Sequence, residues 1–219
     1  MKKIRFLFYK SGPGDSWVSR AIGEIGYFAN KSDCLKFGNK KLLISHEEIE
    51  FCDRFWNHRA DKPAEDLLIN KGKIGGCSKG ICFSSATRGR FTGVRLAPSL
   101  EILKHPEHWL KITVNVPDAV EQAMFDAAKS ILGRPYDYKG VLFKLILPGG
   151  EIQDKKKWYC SEACNYAACE GKANWNSNEF DVTDWIKWHS CYCRHRKWSP
   201  MANLLMMIKV GYTVQSKLI

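Results

Sequence analysis

Lys157-Trp158-Tyr159-Cys160-Ser161-Glu162-Ala163-Cys164-Asn165-Tyr166-Ala167-Ala168-Cys169-Glu170-Gly171 sets a cysteine where a helix should begin. Lysines and aromatics run into Cys160, residues of good to middling helix propensity follow, and Gly171 stands where a C-terminal capping glycine would. The unpaired N–H groups and dipole of a helix N-terminus favour the thiolate form of a cysteine, and Lys155-Lys156-Lys157 adds positive charge just before it. A thiolate is the nucleophile of cysteine catalysis, so Cys160 is a candidate catalytic residue. The competing reading is that Cys160 packs its helix against the core, since free cysteine is among the most buried residue types.

A nucleophile needs a base, and Leu42-Leu43-Ile44-Ser45-His46-Glu47-Glu48-Ile49-Glu50-Phe51 offers one. Read as a strand, it projects His46, Glu48 and Glu50 from one face and Leu43, Ile49 and Phe51 from the other. Same-face neighbours are about 6.6 to 7 Å apart at Cα, so Glu48 can reach the His46 imidazole. Cys160, His46 and Glu48 then supply nucleophile, base and orienting acid for acyl transfer. The alternative is a solvated or structural histidine on an edge strand, with Glu48 facing water.

The chain has 219 residues, 45% of them hydrophobic, enough for one well-buried domain over residues 1–219. Its nine cysteines would suit a disulfide framework in a short secreted protein. However, the opening Met1-Lys2-Lys3-Ile4-Arg5-Phe6-Leu7-Phe8-Tyr9-Lys10 lacks the length of a signal-peptide core and a small-residue cleavage site. Reduced thiols in a cytoplasm are therefore expected. No stretch reaches the ~18 apolar residues of a membrane span. Thirty-four basic against 23 acidic residues give +11, which attracts an anionic polymer or lipid surface without choosing between them. Nothing in the sequence fixes the oligomeric state.

Taken in order, Ile4–Tyr9 reads as a buried strand closed by the turn cluster Ser11-Gly12-Pro13-Gly14-Asp15, and Asp15 or Ser16 can cap a helix from Trp17 to Phe28. Cys52 to Gly80 reads as a polar, loop-rich stretch with a short helical candidate near Ala64–Ile69. Ile81–Ala86 and Phe91–Ala97 read as strands around Thr87-Arg88-Gly89-Arg90, Pro98-Ser99 opens a short helix, and Trp109–Val116 is the clearest strand. Pro117-Asp118 starts a helix that Gly133-Arg134-Pro135 ends, and Tyr136-Asp137-Tyr138 leads into an apolar helix to Leu147. Ser199-Pro200 opens a final helix. Helices first and last with strands between predict an α+β domain, its antiparallel sheet of about five strands packed against helices including the cysteine helix.

Three stretches share their wording with a known family. Ser45-His46-Glu47-Glu48-Ile49 resembles an S-H-x-E-hydrophobic strand, Gly133-Arg134-Pro135-Tyr136-Asp137-Tyr138 a G-x-P-Y-D-aromatic entry, and Trp158-Tyr159-Cys160-Ser161-Glu162 an aromatic-C-S-E helix start. In this order they resemble the circularly permuted NlpC-type, papain-like cysteine hydrolases, the YiiX-like amidases and their phage-encoded relatives. Ser199-Pro200, opening a leucine-bearing helix, resembles the phage versions. The resemblance implies a permuted papain-like fold and attack on an amide or ester carbonyl through an acyl-enzyme, with Cys160 as nucleophile, His46 as base and no cofactor. An acyltransferase on the same site is the variant in which a second substrate outcompetes water. Glu48 is the chosen third group, with Ser84 or Ser85 as alternatives, and Tyr136 and Tyr138 are candidates to line the substrate cleft. A phage-encoded chain would act in the host cytoplasm.

The departure from that pattern is an inserted extension at about 172–198, and it holds two rivals. His189-Ser190-Cys191-Tyr192-Cys193-Arg194-His195 puts soft ligands at alternate positions, but an extended strand spreads them over about 20 Å, too far for one zinc ion unless the chain turns or Cys164 or Cys169 helps. Trp175, Trp185, Trp188 and Trp198, interleaved with Lys187, Arg194, Arg196 and Lys197, would suit a single-stranded nucleic acid, though such tryptophans also anchor an extension to a core.

Overall fold

The computed structural model describes residues 1–36, 41–64, 76–87, 92–141, 156–173, 199–209 and 211–215. Of the helix expected to run on to Leu147, residues 138–141 are described and are helical, and the rest lies outside the described residues, as do 65–69 of the other expected helix, the turn at 88–90 and the 174–198 part of the extension with its zinc and nucleic-acid candidates.

Strand β1 (Lys2–Lys10) is followed by α1 (Trp17–Ala29) and a short α2 (Lys31–Lys36). Strands β2 (Ile44–Asn57), β3 (Lys62–Pro63), β4 (Cys77–Ala86) and β5 (Gly93–Pro98) come next, then α3 (Ser99–Ile102) and β6 (Trp109–Val116). Helices α4 (Asp118–Ser130), α5 (Cys160–Ala173) and α6 (Pro200–Lys209) complete the described elements. The sheet is antiparallel and six-stranded in the order β5-β4-β2-β1-β6, with β3 on the far end of β2. The protein is thus α+β, an open antiparallel sheet packed with helices.

The sheet has one strand more than expected because β2 does not stop at Phe51. Its polar continuation finds partners: Lys3 N donates to Asp53 Oδ2 at 2.8 Å, and the Arg54 guanidinium holds Glu121 of α4 at 2.7 Å. Polar side chains so satisfied extend the strand, and Asp61, at φ 49°, turns the chain back to lay Lys62–Pro63 beside Trp56–Asn57.

Alternation along the strands sorts the two faces. Ile4, Phe6 and Phe8 of β1, Ile49 and Phe51 of β2, Ile81 and Phe83 of β4, and Leu110 and Ile112 of β6 share one core with α4, α5 and α6. The opposite face carries a smaller cluster of Leu7, Cys82 and Trp109, partly covered by Ile102 and Leu103. Ser16 caps α1 by accepting from Ser19 N at 3.2 Å, and Ser199 does the same for α6 through Ala202 N.

Gly171 is not a cap. It lies inside α5, where an added Cβ would stand 2.2 Å from Met124 Cγ and 3.1 Å from Val120 O. The glycine lets α5 lie close against α4, and the helix runs on to Ala173.

Candidate active site

Cys160 begins α5 as expected, and the segment before it is braced from two sides. Trp158 pairs in parallel with Tyr136: Asp137 N donates to Trp158 O at 3.1 Å, and Trp158 N donates to Pro135 O at 3.1 Å. The Ser85 hydroxyl, from β4, donates to the same Trp158 carbonyl at 2.7 Å. Tyr159 O accepts the first helical bond from Ala163 N at 3.0 Å, so Cys160 is the first residue inside the helix.

The stretch Gly133–Tyr138 is the other half of that brace. Gly133, at φ +76°, ends the turn after α4. Gly133 N donates to Val94 O at 2.9 Å and Val94 N to Arg134 O at 2.8 Å, which adds the segment to the edge of β5. Gly93, at φ +74°, is required there, because a Cβ would sit 2.6 Å from Arg134 O. Pro135 and Asp137 then bond to Trp158, so a continuous ladder runs from β5 to the residue two before Cys160.

His46 lies near the start of β2. The pairing with β1 shifts there, Tyr9 facing His46 and Lys10 facing Ile44, so Ser45 is an extra residue that re-aims its neighbours. The His46 imidazole neighbours the Cys160 sulfur, which acts on it as a charge and a hydrogen-bond partner. Its Nε2 meets Glu48 Oε1 at 3.0 Å, so Nδ1 is the nitrogen that Glu48 does not engage. The expected pairing of Glu48 with His46 is therefore present. Glu48 does not face water: its side chain is 1% exposed.

That burial is matched by a cation the sequence reading did not place at the site. Arg95 of β5 donates through Nη1 to Glu48 Oε2 at 3.0 Å and through Nη2 to Oε1 at 2.5 Å. Burial alone would push the Glu48 carboxyl up, but the Arg95 charge, with the hydrogen bonds from His46 and Arg95, outweighs it and lowers it from 4.5 to about 2. Burial would likewise push the His46 imidazole down. The Cys160 sulfur, as charge and hydrogen-bond partner, and then Glu48 outweigh that and raise it from 6.5 to about 9. A cationic imidazole is thus favoured beside the sulfur.

Burial pushes the Cys164 thiol well up, and the neighbouring Glu47 charge adds to it. Burial does the same to Cys82, and to Cys52 up to about 12. They remain protonated and pack, and every described cysteine is a free thiol. Ser84 and Ser85, the alternative third groups, are committed to backbone: Ser84 Oγ donates to Glu47 O at 2.6 Å and Ser85 Oγ to Trp158 O.

A cleft of about 290 Å³ opens over His46 and Glu48, walled by Val18, Ile22, Ile102, Trp109 and Tyr136. Trp109 stands edge-on to the His46 ring at 6.2 Å. Of the two candidate cleft tyrosines, Tyr136 lines this cleft and Tyr138 does not: it is 56% exposed, and its ring meets Tyr136 at 5.0 Å. The chain turns into a helix at Tyr138, so the second tyrosine leaves the line of the first. Cys160 is 3% exposed and does not itself line the cleft, whereas its neighbour His46 does. Among the described residues no group of histidines, cysteines and carboxylates could hold a metal, and no helix is long and apolar enough to cross a membrane.

Neither family models, curated proteins nor solved structures yield a match to this chain. The site must therefore be judged on its own geometry. The signal that could have found Arg95 is local: a lone charge within Gly93-Val94-Arg95-Leu96-Ala97, a strand otherwise apolar enough to be buried, demands a buried counter-charge.

Proposed function

We propose that this protein is a cysteine hydrolase of the permuted papain-like kind, cleaving an amide or ester bond through an acyl-enzyme on Cys160. The observation that carries the reading is one juxtaposition: a thiol at a helix start, beside a histidine whose Nε2 is fixed by a buried, ionised carboxylate.

In the proposed reaction His46 holds the proton of Cys160 and the sulfur attacks the carbonyl carbon. The carbonyl oxygen takes up the negative charge beside the Cys160 N–H at the positive end of α5. Tyr136, whose hydroxyl lies in a residue lining the same cleft and whose phenol burial keeps well above its ordinary range, is a neutral donor available to that oxygen. His46 returns its proton to the leaving amine or alcohol, which departs with the C–N or C–O electron pair. A water, deprotonated by His46, then breaks the thioester and frees the acid. Free thiols suit a reducing compartment such as a cytoplasm. The apolar walls of the cleft suit an acyl chain or side chain next to the scissile carbonyl in a peptide, cell-wall or lipid-linked substrate.

The test is alkylation near neutral pH with a reagent as small as iodoacetamide, since Cys160 is 3% exposed. Cys160 should label faster than every other cysteine, and Cys160→Ala should abolish the fast phase. Equal labelling of all cysteines, unchanged by that substitution, ends the proposal.

A further inference from the structure

We infer that Arg95 is a positioning residue of this site, holding the Glu48 carboxylate so that one oxygen aims at His46 and keeps the other imidazole nitrogen turned to Cys160. The inference rests on the hydrolase reading for its consequence, though not for its geometry.

The geometry is specific. Ser84 pairs with Arg95 and Ile49 with Phe83, so Glu48 and Arg95 lie on strands flanking β4, with Ser84 between them. Their side chains meet only because the middle residue is small, its hydroxyl drawn to Glu47 O. Arg95 is 8% exposed and engages both carboxylate oxygens, a fork-to-fork arrangement that fixes the plane of the carboxylate as well as its position. Glu48 Oε1 is shared between Arg95 Nη2 and His46 Nε2. An unclamped glutamate side chain would have several rotamers here, and only one points Oε1 at the ring.

The other charged and titratable groups near Glu48 do not replace Arg95. Glu50, next on the same face, is taken by Arg5 at 3.0 Å. Cys82 and Cys164 are buried and held protonated, and Glu101 across the cleft is an acid. His46 is the group being positioned. Without Arg95 the carboxyl would therefore take a proton at higher pH, cease to orient the ring, and leave the His46 imidazole free to turn from Cys160.

The experiment compares the native chain with Arg95→Gln and Arg95→Lys by two readouts: the pH dependence of Cys160 alkylation by iodoacetamide, and proton–nitrogen NMR of the His46 ring, which needs no turnover. In the native protein the Nε2–H proton should stay hydrogen-bonded to Glu48, and so far downfield, through the acid range. Arg95→Gln should move the acid limb of alkylation up by about one to three pH units and lose that downfield shift over the same interval. Arg95→Lys, a charge without the fork, should move both in the same direction by less. A loss of rate by the same factor at every pH, with the ring proton unmoved, overturns the inference, because it is what mere support of the sheet would give. If the glutamine variant does not fold, the lysine variant decides alone: an acid limb and ring state identical to the native ones overturn it. A native Cys160 no more reactive than the other cysteines sinks the hydrolase reading, while the ring measurement still judges Arg95.

Discussion

The Ser85 hydroxyl donates to the Trp158 carbonyl at 2.7 Å, joining the sheet strand β4 to the residue two before Cys160. That carbonyl also accepts from Asp137 N, so removing the hydroxyl leaves it with one partner rather than none. Ser85→Ala should therefore cost about 1 kcal/mol, the low end for a buried hydrogen bond, in urea unfolding. Its larger effect should be on chemistry: with one of its two side braces gone, Cys160 should alkylate several-fold more slowly. A Ser85→Ala protein of unchanged stability and unchanged alkylation rate would mean that the Gly133–Tyr138 ladder alone positions the cysteine.

The raised His46 value sets a pH window for stability. Its folded value lies at about 9, above its ordinary 6.5. The stabilisation from its charged form is thus complete below pH 6.5 and lost as the pH rises through 9. The loss is on the order of 3 kcal/mol at most, the ceiling set by a rise from 6.5 to about 9. Urea unfolding of the native protein from pH 6 to 10 should show this decline, and His46→Gln should flatten it. Glu48 acts in the opposite sense: with its value lowered from 4.5 to about 2, its contribution is present above 4.5 and disappears as the pH falls toward 2.

How much of this could be read from the sequence depended on whether the cause was local. The His46–Glu48 pair was legible because period-two alternation puts residues i and i+2 on one face, and the start of α5 because the propensities change at Cys160. The lone charge in the apolar strand signalled that Arg95 needs a buried counter-charge, but not that Glu48 supplies it, since Glu48 lies two strands away and no local rule reports sheet order. Gly171 was misread for a related reason. A glycine ten or so residues into a helix signals either an end or a close neighbour, and only the position of Met124 on α4 distinguishes them. The polar run after Phe51 looked like a loop because the partners that satisfy it, Lys3 and Glu121, are about 50 and 70 residues away.

Glu48 and Arg95 also make a thermodynamic cycle. Both are buried, with side chains 1% and 8% exposed, so removing either charge alone strands the other in the core. Glu48→Gln should destabilise the fold by about 3 to 5 kcal/mol, and Arg95→Met by a similar amount. The double variant Glu48→Gln/Arg95→Met should be clearly more stable than the sum of the single losses predicts, as coupled neighbours require. Additive losses in denaturant unfolding would show that the two side chains do not interact in solution as they do in the structure.

Gly171→Ala separates the two roles a glycine can have near a helix end. In an open helix interior the change would stabilise by about 1 kcal/mol, because alanine is the better helix former. Here the new methyl would stand 2.2 Å from Met124 Cγ and 3.1 Å from Val120 O. The methionine can swing aside, but the Val120 carbonyl belongs to the α4 backbone, so the helices must part. Overpacking of this kind costs about 1 to 3 kcal/mol, more than the propensity gain, and the net effect should be a lower urea midpoint. Adding Met124→Ala to Gly171→Ala should relieve the closer clash and leave the Val120 contact, so the double variant should recover part of the loss relative to Met124→Ala alone. If Gly171→Ala instead raises the midpoint, α4 and α5 are further apart than the structure places them, and the wall behind Cys160 would have to be rebuilt.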